Sequence, residues 1–261
     1  MTKKSGRTAQ FNRSKTLVIY GRNAVHEALL DESLRLSKLH LAESNRNSGV
    51  IKDILAIAER RSITVEYKDR RALSFISKNS KQDQGVAADI FLPGLDDLET
   101  LKLDAAHENA NQRFILLDGV TNPQNVGMII RSIAAAGNCM LVLPQRNCAD
   151  LGPLTIKASA GAVFRCPILR CASADLAANW FSEKGITLCG LCVESEETMH
   201  DYLRSPDSKL APLAFVLGNE SSGISSAVDA RLDRRVSIPM KNGVESLNVA
   251  VTAALIAYAT I

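Results

Sequence analysis

Three short stretches of this chain concentrate the residue types that do chemistry. The first, Asp118 to Arg131 (DGVTNPQNVGMIIR), carries the amides Asn122, Gln124 and Asn125, a glycine at Gly127 and one guanidinium, Arg131. The second, Phe215 to Gly223 (FVLGNESSG), runs from an apolar strand-like segment into Gly218, Asn219 and Glu220 and then a second glycine. The third, Ile238 to Asn248 (IPMKNGVESLN), breaks at Pro239, turns at Asn242-Gly243 and ends on Ser246, Leu247 and Asn248. Glycine admits a ligand close to the backbone, and amides, a hydroxyl and one arginine bind and orient polar or anionic groups. Taken singly, each stretch also has a plainer reading. Asn125 would cap a helix, Arg131 would be a surface cation, and Glu220 would offset a helix dipole.

Several other chemistries are disfavoured. No Gly-Lys-Ser/Thr follows Gly218, so this is not a phosphate-binding P-loop, and neither half of the chain has GxGxxG after its first strand. There is no GxSxG elbow, and His26-Glu27 lacks the second histidine of a zinc HExxH site. Cys189-Gly190-Leu191-Cys192 is a lone CxxC, whereas structural zinc needs four ligands. No metal is expected, and the six cysteines read as buried, reduced thiols of a cytosolic protein.

Elements of alternating type must position the three stretches. Strand-like runs at Phe114 to Asp118, Met140 to Leu143, Ile186 to Leu191, Leu213 to Leu217 and Val236 to Ile238 alternate with helical patterns at Val126 to Ala136 and Asp175 to Lys184. From Ser246 onward the chain carries no charge, which predicts a buried helix with Ser246 as its N-cap and Asn248 in its first turn. That run is shorter than the roughly 20 residues a membrane helix needs. It should be sandwiched between other elements or between subunits. Residues 113–261 therefore read as a larger α/β domain with a mainly parallel sheet, whose ligands sit beyond the carboxyl ends of the strands.

A smaller α/β domain precedes it over residues 17–92. Strands are expected at Leu17 to Tyr20, Leu36 to Leu41, Ile63 to Tyr67 and Val86 to Phe91, with helices from Ala24, at Val50 to Arg61 and at Arg71 to Ile76. Arg46, Lys52, Arg60, Arg61, Lys68, Arg70 and Arg71 give it a scattered basic character, a mild hint of RNA. Residues 93–112, acidic and amide-rich, read as a linker with a short helix through Leu98 to Leu103. The first sixteen residues hold Lys3, Lys4, Arg7, Arg13 and Lys15 with no acid, and read as a mobile basic tail rather than a signal peptide. With 261 residues, 46% of them hydrophobic, and a net charge of only +3, a nucleic-acid partner would have to be met by a local patch.

Together the three loops match one pattern. Residues 113–261 resemble the SpoU/TrmH family of RNA ribose 2′-O-methyltransferases, the knotted α/β group called SPOUT. Asn125, Gly127 and Arg131 match its first motif, Gly218, Glu220 and Gly223 its second, and Ile238, Pro239, Met240, Ser246, Leu247 and Asn248 its third. Ser159-Ala160-Gly161-Ala162 resembles the segment between motifs. Residues 17–91 resemble the substrate-binding domain that many members carry, related to ribosomal RNA-binding proteins, with the opening Gly21-Asn23-Ala24-Val25. The closing segment is Asp83-Gln84-Gly85-Val86, where the family often has histidine before Gln-Gly.

The resemblance implies a deep trefoil knot, a homodimer, and transfer of a methyl group from S-adenosylmethionine to a ribose 2′-hydroxyl. It implies that Leu217, Gly218, Ile238, Met240 and Leu247 hold the cofactor. Arg131 would activate the hydroxyl, as a general base or as a charged stabiliser of the alkoxide. Asn125, Ser246 and Asn248 would position the ribose and Arg131, with Glu220 bracing the loop. Ribosomal RNA of the large subunit is the favoured substrate, transfer RNA the alternative, and a non-catalytic RNA-binding relative the other class of reading. No membrane partner is expected.

Overall fold

A computed structural model describes residues 15–45, 47, 49–102, 112–192, 195–209 and 212–259. All but the last two residues of the expected basic tail lie outside them. The chain divides into two compact units, Met1–Pro93 and Gly94–Ile261.

The first unit runs β1 (Thr16–Tyr20), α1 (Arg22–Leu30), β2 (Arg35–Ala42), α2 (Val50–Arg60), β3 (Thr64–Lys68), α3 (Arg70–Ser77) and β4 (Val86–Phe91). Its sheet has the order β1-β4-β2-β3, with β4 antiparallel to both neighbours and β2 parallel to β3. Helix α2 buries Ile51, Ile54, Ile57 and Ala58, the spacing that sets one helical stripe against a core. Asp69 caps α3 by accepting from the Ala72 amide at 2.8 Å. Gly21 (φ 94°) opens α1 in a conformation that only glycine adopts readily. Its amide donates to Val86 O at 3.0 Å, and the Arg22 amide donates to Gln84 Oε1 at 3.0 Å, tying the opening and closing segments together.

Position 83 departs from the family's frequent histidine, and its side chain faces inward. Asp83 is buried and accepts from Ser77 Oγ at 2.9 Å and from the Gly85 amide at 2.8 Å. It holds the 78–85 loop against α3. The basic residues also divide by role. Lys38 and Lys68 both pair with Glu66, while Arg61 turns inward and donates to the carbonyls of Leu29 in the last turn of α1 and of Asp31 and Leu34 beyond it. Arg61→Ala strands three acceptors at once, so a loss of about 2 kcal/mol is expected in urea unfolding. A loss under about 0.5 kcal/mol would show that water replaces the guanidinium.

The second unit contains β5 (Leu95–Asp97), β6 (Arg113–Leu117), α4 (Pro123–Ala136), β7 (Cys139–Pro144), α5 (Pro153–Ala158), β8 (Ile168–Cys171) and α6 (Ala174–Glu183). It continues with β9 (Thr187–Leu191), α7 (Met199–Arg204), β10 (Leu213–Leu217), α8 (Ser226–Asp229), β11 (Arg234–Val236) and α9 (Val249–Ala259). The sheet order is β11-β9-β10-β6-β7-β8-β5, and every pairing is parallel. The central strands β6 and β10 are buried at all five positions, the near-continuous burial expected of a sheet covered on both faces. Phe114 meets Phe181 of α6 in a tilted pair with centroids 5.2 Å apart.

Part of the expected linker belongs to this sheet. Leu95 to Asp97 pair in register with Ile168 to Arg170, and Leu95 and Leu98 are buried. An edge strand is covered on one side only, so its acidic residues are compatible with pairing. The expected helix through Leu98 to Leu103 is a single 3₁₀ turn at Leu98–Thr100, and residues 103–111 lie outside the described part. Strand β11 ends at Val236 rather than Ile238, because its partner β9 ends at Leu191.

Helix α9 packs on α4 and β10 through Val249, Ala250, Ala253, Ile256 and Ala257. Its other side leaves Val251, Leu255 and Tyr258 exposed at a four- and three-residue spacing, one continuous face. No helix among the described residues is long and apolar enough to cross a membrane. The six cysteines are free thiols, and burial pushes Cys166, Cys171 and Cys189 up to about 12, which keeps them protonated and inert.

Candidate active site

All strands of the second unit run parallel, so the loops after β6, β9, β10 and β11 emerge at one edge of the sheet. The first of these loops enters α4. Asn122, not Asn125, is the cap: its side chain accepts from the Gln124 amide at 2.9 Å, and Pro123 occupies the first helical position, where no amide hydrogen is needed. Asn125 is thereby left one turn inside the helix, buried, with its amide free for another partner. Gly127 explains the tight approach of α5, since a Cβ there would lie 2.5 Å from Ala158 Cβ and 2.6 Å from Thr155 O. The Ser159–Ala162 segment ends α5, with Ala160 (φ 49°) and Gly161 (φ 78°) both left-handed.

The loop after β10 is a closed turn. Asn219 and Gly223 exchange both backbone hydrogen bonds at 2.9 Å, and Asn219 Oδ1 accepts from the Ser221 and Ser222 amides. Asn219 Nδ2 reaches across to Gly119 O at 2.8 Å, and the buried Asp118 carboxylate accepts from the Ser225 amide at 2.7 Å. Two contacts therefore lock the first loop to the second. Neither Asp118 nor Asn219 was singled out from sequence as a site residue. The signals were an acid at the end of an apolar strand and an Asn between Gly and Glu, where an Asx turn is common.

The third stretch begins its helix later than expected. Asn248, not Ser246, is the residue whose side chain accepts an orphan amide, that of Ala250 at 2.9 Å. Ser246 lies before it, exposed in the loop. The other end of the Asn248 amide completes a triangle. Asn125 Nδ2 donates to Glu220 Oε1 at 2.7 Å, and Asn248 Nδ2 donates to Glu220 Oε1 at 2.9 Å and to Asn125 Oδ1 at 3.2 Å. One residue from each loop thus converges on a single carboxylate. Hydrogen bonds to an ionised acceptor are about twice as strong as neutral ones.

Beside the triangle opens a cavity of about 690 Å³. Leu217, Gly218, Ile238, Met240 and Leu247 all line it, together with Glu220, Ser246 and Asn248. Sequence reasoning did not place Leu191, Cys192, Ile224 or Thr252 at the site, and these form further walls. The volume is that of a small-molecule site, and the mixture of apolar walls with a few convergent polar groups is typical of one. Burial raises the Cys192 thiol, so this wall is neutral. Asn125 stands behind the cavity, bonded to two of its walls.

Arg131 is the exception. It is exposed on α4, does not line the cavity, and its side chain makes no hydrogen bond or ion pair with any described residue. Six residues from Asn125, it is about 9 Å further along the helix and roughly 120° around it. The geometry brings nine of the ten expected site residues together and leaves this one facing solvent.

Comparison with known proteins supplies the context. Residues 112–258 match the family model described as the SpoU rRNA methylase family, and residues 18–94 match the RNA 2′-O ribose methyltransferase substrate-binding model. The chain is 31% identical over 240 residues to the putative TrmH family tRNA/rRNA methyltransferase YacO of Bacillus subtilis, covering 92% of this chain and 93% of that one. It is 29% identical to the 23S rRNA (guanosine-2′-O-)-methyltransferase RlmB of Coxiella burnetii, covering 94% and 95%. Among solved structures, a putative RNA methyltransferase of the TrmH family from Porphyromonas gingivalis superimposes with a TM-score of 0.61 at 25% identity, covering 95% of this chain and 90% of that one. The SpoU methyltransferase AviRb from Streptomyces viridochromogenes, solved in complex with the cofactor AdoMet, shares the fold at a TM-score of 0.61 and 23% identity, covering 98% and 93%. Both models match in chain order and nearly the whole length aligns with curated members, so the chain belongs to the SpoU rRNA methylase family and is an RNA methyltransferase.

Proposed function

We propose that this protein methylates a ribose 2′-hydroxyl of RNA, with large-subunit ribosomal RNA as substrate and S-adenosylmethionine as methyl donor. The observation that carries the reading is the Asn125–Glu220–Asn248 triangle at the side of the 690 Å³ cavity. The cavity suits the donor: Leu217, Ile238 and Leu247 offer apolar walls for a base and sugar, and Glu220 and Glu245 place carboxylates near a cationic centre. When bound, S-adenosylmethionine supplies an electrophilic methyl on a sulfonium.

The remaining work falls to the chain. Backbone at Gly218 and Leu247 and the Met240 side chain hold the donor, while Ser246, exposed at the cavity mouth, meets the ribose. Asn125 and Asn248, fixed by Glu220, set the loop geometry so that the attacking oxygen is held near 3 Å from the methyl. The hydroxyl oxygen gains the methyl and releases a proton to solvent, and the methyl–sulfur bond breaks with its electron pair left on sulfur as a neutral thioether. Arg131, a guanidinium cation exposed on α4 outside the cavity, meets the bound RNA, where it grips a phosphate beside the target ribose and stabilises the developing alkoxide.

Two further features belong to this reading. The face formed by Val251, Leu255 and Tyr258 of α9, with Met128 of α4 also exposed, supports a homodimer. The knot is supported by the path of the chain: β11 lies at the far edge of the sheet, yet α9 returns across the strand ends to pack on α4.

Labelled methyl transfer from S-adenosylmethionine to unmodified large-subunit ribosomal RNA, and separately to unmodified transfer RNA, tests the reading. Label in ribosomal RNA that makes one backbone linkage resist alkali is the expected result. Label in transfer RNA alone would replace the substrate. No label in either, or in assembled ribosomal precursors, despite tight RNA binding, would make the protein a non-catalytic relative.

A further inference from the structure

Phe75 is 86% exposed, the most exposed of the large hydrophobic side chains in the described residues. It sits on α3 four residues after Arg71, on the same helical face, and Lys78, the left-handed residue that ends the helix, lies on the same groove. Together with Ser74 and Ser80 these residues line a shallow groove. Arg70 and Lys81 are exposed nearby, and none of these four cations pairs with an acid among the described residues. The two acids close in sequence are engaged elsewhere: Asp69 caps α3 and Asp83 is buried beneath it.

The 78–85 loop is tied to the helix: Ser77 Oγ donates to Asp83 Oδ2 at 2.9 Å, while Ser74 Oγ donates to Arg70 O at 2.8 Å. A lone ring presents far less than the roughly 800 Å² per partner of a stable protein interface, yet it offers a complete face to a nucleobase. Unpaired cations on both sides suit the flanking phosphates of an RNA strand, and a ring between cations is the arrangement that grips unpaired bases.

We propose that the α3 face is a stacking platform for an unpaired nucleotide of the substrate RNA. Phe75 takes the base, and Arg71 and Lys78 take the adjoining phosphates. The proposal rests on the RNA-methyltransferase reading for the identity of the polyanion.

The test is fluorescence anisotropy on the full chain, using a labelled single-stranded oligoribonucleotide and the same strand annealed to its complement. Phe75→Ala is expected to weaken single-strand binding about tenfold, within the range for one lost base–aromatic stack, with duplex binding changed less than twofold. Phe75→Trp should restore it. Arg71→Gln with Lys78→Gln should lower the slope of log Kd against log salt by about 1.4 for single strands. Because Phe75 packs against little, unchanged thermal melting is expected for its variants. Wild-type single-strand affinity in Phe75→Ala, or an equal loss on both RNAs, overturns the proposal. So does a change confined to sedimentation behaviour, which would make the face a protein contact. Since binding is read without turnover, a wild-type enzyme that binds RNA but transfers no methyl would sink the functional reading and leave the platform standing.

Discussion

Arg131→Ala is expected to lower methyl transfer about a thousandfold while leaving S-adenosylmethionine affinity within about twofold. The size is that of losing one cation which, once RNA is bound, stabilises the developing alkoxide, about 10²–10³ in rate for one donor. The selectivity follows from position. Arg131 is exposed, does not line the cavity, and its side chain makes no hydrogen bond or ion pair with a described residue, so its loss should leave the cavity and the fold intact and change stability by less than about 0.5 kcal/mol. A neutral arginine acting as base and a charged one gripping phosphate give the same loss of rate, but they differ in salt dependence. If the guanidinium holds a phosphate, its removal lowers the slope of log KM for RNA against log salt by about one. An unchanged slope would return the base mechanism, and a variant with wild-type turnover would remove Arg131 from the site altogether.

Gly218→Val is expected to abolish donor binding, with an affinity loss above about a hundredfold, and to lower the melting temperature as well. From sequence, the glycine keeps space open for a ligand beside the backbone. The structure gives a different cause. A Cβ at position 218 would lie 2.4 Å from the Gly223 carbonyl carbon, 2.5 Å from the Ile224 nitrogen and 2.6 Å from Gly223 O, all backbone atoms of the same turn. None of these yields cheaply, because Asn219 and Gly223 are already locked by paired hydrogen bonds and Asn219 is tied to Gly119. Overpacking of this kind costs about 2 kcal/mol, or roughly 6 °C for a domain of this size. The clash begins at the first carbon, so Gly218→Ala should be nearly as severe as valine in both calorimetric titration and thermal melting. If alanine binds the donor normally and melts normally, the turn is softer than its hydrogen bonds imply.

The contrast at Gly218 marks where sequence reading stops. The buried strands β6 and β10 announce themselves as unbroken apolar runs, and α6 by its periodic alanines and aromatics. By contrast α5, α7 and α8 are six, six and four residues long, too short for a helical period to emerge, and β8 is a four-residue strand containing Arg170. The edge strand β5 is hidden in acidic sequence because only its partner Ile168–Arg170 identifies it as a strand. The expected cap at Ser246 falls instead on Asn248, and the plainer reading of Asn125 as a cap gives way to Asn122, because in each case near neighbours have similar capping ability and the choice is made by tertiary contacts: Glu220, from a different loop, takes the Nδ2 groups of both Asn125 and Asn248. The motif residues were readable, but the carboxylate at their centre is a tertiary fact. Phe75 was unreadable for the opposite reason: an apolar residue in a helical pattern looks like core until its face is seen to be uncovered.

The return of the chain from β11 to α9 also bears on how the protein is made. A ribosome that has synthesised everything through Val236 has delivered every strand of the sheet and the Asn219 turn. It has delivered none of the walls at Ile238, Met240, Leu247 and Asn248, nor the helix that covers α4. Until those residues emerge, Glu220 lacks one of its two amide donors and the cavity has no third side. The nascent chain therefore holds a nearly finished scaffold whose cavity, the one proposed for the donor, is completed only when the last of these walls is made.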